Sequence, residues 1–131
     1  MKQKVNIETA YSDEVCETSV GEENSSFASL TVSLAEIREL KGVIGYILRS
    51  STSAVFDVAD YDKIFQYALL TSEIHESSVE IAKQFNIGSA DSVLLEGENI
   101  KVLCLSMEDN KISIFMDKSA NHAWIIKKIL L

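Results

Sequence analysis

The stretch VLLEGENIKVLCLSM, residues 93–107, decides how the sheet of this protein is layered. Two apolar runs flank a short polar turn, which is the pattern of a β-hairpin. In the second run, Val102 and Cys104 would face one side of the sheet, and Leu103 and Leu105 the other. A strand that is apolar on both sides must be covered on both sides. We therefore expect the sheet to be the middle layer of three.

Similar patterns on either side of this hairpin predict five strands in total. VIGYILR (43–49) is β-branched and apolar, and the turn SSTS joins it to AVFDVA (54–59). SVLLEG (92–97), IKVLCLSM (100–107) and KISIFMD (111–117) predict a three-strand meander. KVNIETAY, near the N-terminus, alternates as well and is compatible with one further short strand.

Three helices are predicted between and after these strands. SLAE at 33–36 matches a capping box, so a short helix is expected from Leu34 to Lys41. Asp60 is the expected N-cap of a long helix that runs from Tyr61 to Phe85. A last helix is expected from Ser119 to Leu131. The element order is α-ββ-α-βββ-α.

This order predicts an α+β fold with three layers, α/β/α. A five-stranded antiparallel sheet would carry the long helix on one face and the two shorter helices on the other. Placed at helical spacing, the apolar and small residues of the long helix span about 220°, whereas one packing face needs only about 100°. The long helix is therefore expected to have surface for a second partner.

Charge and composition divide the chain and exclude several classes of function. The net charge of the 131 residues is −8, and residues 1–28 hold two lysines against six carboxylates. We expect residues 1–30 to form a flexible acidic arm and residues 31–131 to form one domain. An acidic chain argues against nucleic-acid binding, and no apolar run reaches the roughly 20 residues of a membrane helix. Two cysteines without a framework favour a reducing cytoplasm.

The sequence resembles the roadblock / dynein light chain family, which includes the MglB-like proteins. The resemblance is carried by LAEIRELKGVIGYILRSSTSAVF (34–56), FNIGSADSVLLEGENIKVLCLS (85–106) and MDKSANHAWIIKKIL (116–130). It implies a non-catalytic module that dimerises through its long helix and the strand after it, with itself or with a paralogous roadblock protein. It further implies binding to a Ras-like small GTPase, or scaffolding of a complex, with no cofactor and no metal.

The implied dimer and partner interface lies on the long helix and the strand that follows it. Its expected residues are Tyr67, Leu70, Thr71, Ile74, His75, Ser78, Val93 and Leu95.

Other functions stay open from the residues alone. A small-ligand sensor with profilin- or PAS-like layering would need a cavity, which Tyr46, Phe56 and Cys104 could line. An enzyme would need an exposed thiolate, for which Cys104 with His122 is the candidate pair. For Cys104 a small buried hydrophobe is the favoured interpretation, and for His122 a solvated or capping residue.

The charged residues do not match the pattern of a calcium site or of an arginine finger. The acidic residues of the hairpin turns, Glu96, Glu98, Glu108 and Asp109, do not have the spacing of a calcium loop. The two arginines, Arg38 and Arg49, lie on a predicted helix and at a strand end, which is not where an arginine finger is expected. The phosphate-binding pattern GxxxxGK is absent, so the chain is not itself a GTPase of that class.

Overall fold

The computed structural model describes residues 4–6 and 23–130, which form an antiparallel sheet with helices on both faces. The order of the strands across the sheet is β1-β3-β2-β6-β5-β4. The strands are β1 (Lys4–Asn6), β2 (Val43–Arg49), β3 (Ala54–Val58), β4 (Ser92–Glu96), β5 (Ile100–Met107) and β6 (Asn110–Asp117). The helices are α1 (Glu23–Arg38), α2 (Ile64–Gln84) and α3 (His122–Leu130).

The predicted three-layer α+β fold is confirmed. All five predicted strands are present, and the short strand β1 adds a sixth at the β3 edge, in a register that runs from Lys4 opposite Asp57 to Asn6 opposite Val55. Helices α1 and α3 pack on one face, and α2 packs on the other.

Strand β5 contributes to both hydrophobic cores, as its alternation predicted. Leu103 and Leu105 lie in the core under α1 and α3, together with Leu34 and Ile125. Val102 and Cys104 lie in the core under α2. All four β5 side chains are at most 3% exposed, because a helix covers each face of the strand.

Helix α1 begins earlier than predicted, at Glu23, so the prediction that Ser33 caps its N-terminus is wrong. The SLAE pattern lies inside the helix, because an apolar stripe already runs through Phe27, Leu30, Leu34 and Ile37 at spacings of three and four residues. The boundary predicted between residues 30 and 31 falls within this helix. The expected flexibility of the acidic arm concerns residues that lie mostly outside the described ranges.

Gly42 makes the tight turn from α1 into β2 possible. Its φ is +89°, a conformation that favours glycine. A Cβ atom at this position would lie 2.7 Å from Asp117 Oδ1 and 2.9 Å from the Ala120 backbone nitrogen. The close approach allows the Asp117 amide to donate to the Gly42 carbonyl at 2.7 Å, which joins the start of β2 to the end of β6.

A buried ion pair lies beside α1. Arg38 Nε is 3.5 Å from Asp57 Oδ1, and the Asp57 side chain is only 1% exposed. Arg38 Nη1 also donates to the Val43 carbonyl at 3.0 Å. The Tyr46 hydroxyl is buried nearby, and burial, then the Asp57 carboxylate, raise its pKa to about 12, against the opposing charge of Arg38. Each of these two charges is therefore stabilised by the other, and removing one side chain would leave the other charge without its partner.

Helix α2 confirms the long-helix prediction closely. Asp60 accepts from the Asp62 amide at 3.1 Å and caps a 3-10 turn, Tyr61–Lys63, that leads into the helix. The helix ends at Gln84, and Asn86 and Gly88 follow with positive φ angles of 54° and 99°.

Candidate interaction surface

Helix α2 buries one stripe against the sheet and leaves apolar side chains exposed on both of its flanks. Thr71, His75 and Ala82 form the buried stripe. On the flank next to β4, Ile81 is 53% exposed, and Phe85, just past the helix end, is 70% exposed. These apolar side chains lie outside the face of α2 that packs on the sheet, as the wide apolar arc of the sequence predicted.

An apolar groove runs between α2 and the start of β4, with a volume of about 440 Å³. We call it the β4-side groove; it is lined mainly by Ile74, Ile81, Ala82, Ile87, Ala90 and Val93. Ile87 is 67% exposed. Monomeric soluble proteins seldom leave a contiguous apolar patch of this kind open to water.

Strand β4 forms the sheet edge beside this groove. It pairs with β5, from Ser92 opposite Leu105 to Glu96 opposite Lys101, and is the last strand of the described sheet on that side. Its sequence, SVLLE, has no proline and no lysine to block further pairing. The edge is therefore able to accept another antiparallel strand.

A second apolar patch, the N-terminal patch, lies on the opposite flank at the start of α2. It consists of Tyr61, Phe65 and Leu69, which are 57%, 78% and 57% exposed. Val79, 51% exposed, lies further along the same flank.

The interface residues expected from the sequence are placed differently by the fold. Leu70, Ile74 and Val93 are partly buried at the edge of the α2 core, and Leu95 is 46% exposed. Tyr67 stacks on Phe115 with ring centroids 4.3 Å apart. Ser78 is partly buried and donates to the His75 carbonyl at 2.9 Å.

Thr71 and His75, two of the expected interface residues, are buried in the single chain. Thr71 is fully buried, with its hydroxyl bonded to the carbonyls of Tyr67 and Ala68 at 3.0 and 3.1 Å, and His75 is 7% exposed. Both belong to the stripe of α2 that is buried in the single chain, and His75 also lines a cleft beside the helix. The expected set did not include Ile81, Phe85 and Ile87, which are exposed apolar residues. The first two belonged to the apolar arc, but Ile87 lies beyond the helix and gave no periodic signal.

His75 is held neutral by its surroundings. Burial, followed by the positive charges of Lys111 and Arg49, lowers its pKa to about 4. Its Nε2 atom is buried and has no hydrogen-bond partner among the described residues.

We expect the stability of the protein to fall as the pH drops from about 6.5 to 4. Over this range the unfolded chain binds a proton at His75, whereas the folded protein does not, so each pH unit costs up to about 1.4 kcal/mol. Urea unfolding at several pH values, at one protein concentration, measures this slope. The variant His75→Leu should show a shallower slope, and equal slopes in the two proteins would contradict the assignment.

The residues of the two alternative sites, the Cys104–His122 pair and the small-ligand cavity, do not lie together in the structure. Cys104 lies in the core under α2, where burial raises the pKa of its thiol, and His122 lies on α3 at the other face of the sheet. His122 Nδ1 is instead 3.2 Å from Lys101 Nζ. Tyr46 is likewise on the opposite face from Phe56 and Cys104, so the three do not line one cavity.

The described parts of the chain contain neither a cluster of metal-ligating side chains nor a helix that could cross a membrane. Within residues 4–6 and 23–130, no three His, Cys, Asp or Glu side chains are grouped so as to hold a metal ion. None of the helices seen there combines the length and the apolar character that crossing a membrane requires.

Comparison with known proteins identifies the fold. Neither a protein-family model nor a curated protein sequence matches the chain. Among solved structures, the chain is similar to the crystal structure of a Roadblock/LC7 domain from Streptomyces avermitilis, with a TM-score of 0.64 and 13% sequence identity. The match covers 74% of this chain and 84% of that chain. The chain therefore has the Roadblock/LC7 fold, as the sequence resemblance implied.

Proposed function

We propose that this chain is a non-catalytic interaction module that forms a homodimer and binds a Ras-like small GTPase. In the dimer, the β4-side grooves of two copies cover each other, and the two β4 edges pair. The observation that carries this proposal is that an open apolar groove and an unblocked strand edge lie side by side on the same flank.

The exposed apolar side chains of this flank supply a favourable free energy of association comparable to its entropic cost. Ile81, Phe85, Ile87 and Leu95 are between 46% and 70% exposed. Burying a fully exposed side chain of this size contributes about 1.5–3 kcal/mol, so covering the exposed part of each of these contributes roughly half as much. Two copies bring eight such side chains together, and backbone pairing along β4 adds hydrogen bonds, so the gain is of the order of the entropic cost of association.

The N-terminal patch supports a second binding event. It lies on the flank away from the β4-side groove, so it remains exposed when two copies pair. The proposal that its partner is a Ras-like GTPase is supported by the shared fold. Because this chain lacks GxxxxGK, the nucleotide site would belong to the partner.

A paralogous roadblock protein in place of the second copy would use the same groove. We place the complex in the cytoplasm.

Light scattering coupled to gel filtration tests the dimer, which we expect at micromolar protein concentration. A monomer under these conditions would contradict the proposal.

Binding of purified Ras-like GTPases, loaded with GDP or a GTP analogue, tests the partner. We expect Phe65→Ser combined with Leu69→Ser to abolish GTPase binding and to leave the dimer intact, because these side chains lie outside the groove. GTPase binding that is unchanged in this variant would exclude the N-terminal patch as the docking surface.

A further inference from the structure

A polar cleft of about 390 Å³ lies on the other flank of α2 from the β4-side groove. It opens at the end of the sheet where the β2–β3 and β5–β6 turns meet, and its basic lining residues are Arg49, His75 and Lys111. Ser51 and Ser72 add hydroxyl groups to the lining. The proposed dimer and GTPase functions do not use this cleft.

Two cations face each other across neighbouring strands in the cleft. Arg49 on β2 and Lys111 on β6 are direct partners in the strand register. Like charges placed directly opposite each other destabilise a sheet. Among the side chains of residues 26–130, no carboxylate forms an ion pair with either cation. Arg49 Nη1 donates to Ser72 Oγ at 2.9 Å, and the described residues provide no carboxylate partner for the other guanidinium donors.

A third group in the cleft also lacks a partner. His75 is 7% exposed, and its buried Nε2 atom makes no hydrogen bond within the described residues. Buried polar atoms are almost always hydrogen-bonded, so an unpaired one calls for an explanation. In the tautomer that carries its proton on Nε2, His75 would donate to an oxygen atom bound between the strand end and α2, and the negative charge of that oxygen would offset the repulsion between Arg49 and Lys111.

We propose that this cleft binds a small oxyanion, a phosphate or carboxylate group, held by Arg49, Lys111 and His75. Three exposed carboxylates, Glu76, Glu108 and Asp109, also line the cleft. Water screens them at the surface, and they disfavour a large polyanion such as a nucleic acid. The chemical class of the ligand is therefore a small metabolite with one such group.

The test is a titration of the ¹⁵N-labelled full chain with inorganic phosphate and, separately, with acetate, at constant ionic strength against sodium chloride. We expect saturable shifts at the His75 ring nitrogens and at the amides of Ser51 and Lys111, with at least one of the two anions. The bound anion should also raise the pKa of His75 from about 4, because it opposes the two nearby positive charges. Saturation by only one anion tells phosphate from carboxylate recognition.

Matched variants separate a binding site from general attraction to charge. Lys111→Gln should weaken anion binding about tenfold or more. Lys118→Gln changes the net charge equally, at the opposite end of β6, and should leave binding unchanged. Shifts that do not saturate with either anion, or equal weakening in both variants, would overturn the proposal.

Thermal unfolding distinguishes an anion-binding role of Lys111 from a purely structural role. Without added anion, Lys111→Gln should be at least as stable as the parent, since it removes the repulsion with Arg49. With the anion that binds, the parent should gain thermal stability and the variant should gain less. A variant that is destabilised equally with and without anion would show that Lys111 is structural, and would refute the site.

Discussion

The variant Ile81→Glu is expected to be a monomer at protein concentrations where we propose that the parent is a dimer. Ile81 is 53% exposed on the protomer and lines the β4-side groove, so the substitution does not disturb the protomer core. In the dimer, however, it would bury one unpaired carboxylate from each copy. An uncompensated buried charge costs about 3–5 kcal/mol, so two of them cost about 6–10 kcal/mol per dimer and raise the dissociation constant by about four to seven orders of magnitude. Sedimentation velocity over a range of concentrations measures this change.

Val79→Glu is the matched control for this experiment. Val79 lies on the same helix, is 51% exposed and is on the flank away from the groove. It receives the same charge, and we expect it to remain dimeric. Leu70 and Ile74 are poorer test positions, because both pack against the core under α2 and a charge there would also unfold the protomer. If Ile81→Glu dimerises as tightly as Val79→Glu, the groove is not the interface.

Arg38→Met is expected to lose about 3–5 kcal/mol of unfolding free energy, the usual cost of removing one partner of a buried ion pair. The variant leaves the Asp57 carboxylate, which is 1% exposed, without its cation. It also removes the hydrogen bond from Arg38 Nη1 to the Val43 carbonyl. For a domain of this size, the loss corresponds to a decrease of about 10–20 °C in the melting temperature. Urea unfolding at pH 7 and calorimetry measure the two quantities.

Two further variants test whether the burial of Asp57 causes the loss of stability expected in Arg38→Met. Adding Asp57→Asn to Arg38→Met removes the unpaired charge and should recover part of the lost stability. The exposed pair of Lys128 with Glu36, 3.5 Å apart and with side chains 34% and 63% exposed, is the surface reference. Lys128→Met should cost less than about 1 kcal/mol. A similar loss in Arg38→Met and Lys128→Met would contradict the importance of burial at Asp57.

Residue patterns were sufficient for the strands and the layers, because both depend on short-range periodicity. The alternation of Val102 to Leu105 predicted a strand that is covered on both faces, and the structure places these side chains in two cores. The apolar arc of α2 predicted surface beyond its own sheet, and Ile81 and Phe85 are exposed accordingly. The start of α1 was mispredicted, because the SLAE pattern resembles a cap whether or not a helix already precedes it.

Sequence by itself therefore determined the α-ββ-α-βββ-α order, the covered sheet and the excess apolar surface of α2, since each follows from side chains a few residues apart. Only the tertiary structure decided which flank of α2 lies beside the free β4 edge, and that Thr71 and His75 face inward. It also decided that Arg49 meets Lys111 and that Arg38 meets Asp57. The physical reason is that these groups are far apart along the chain, and strand register and helix placement alone bring them into contact.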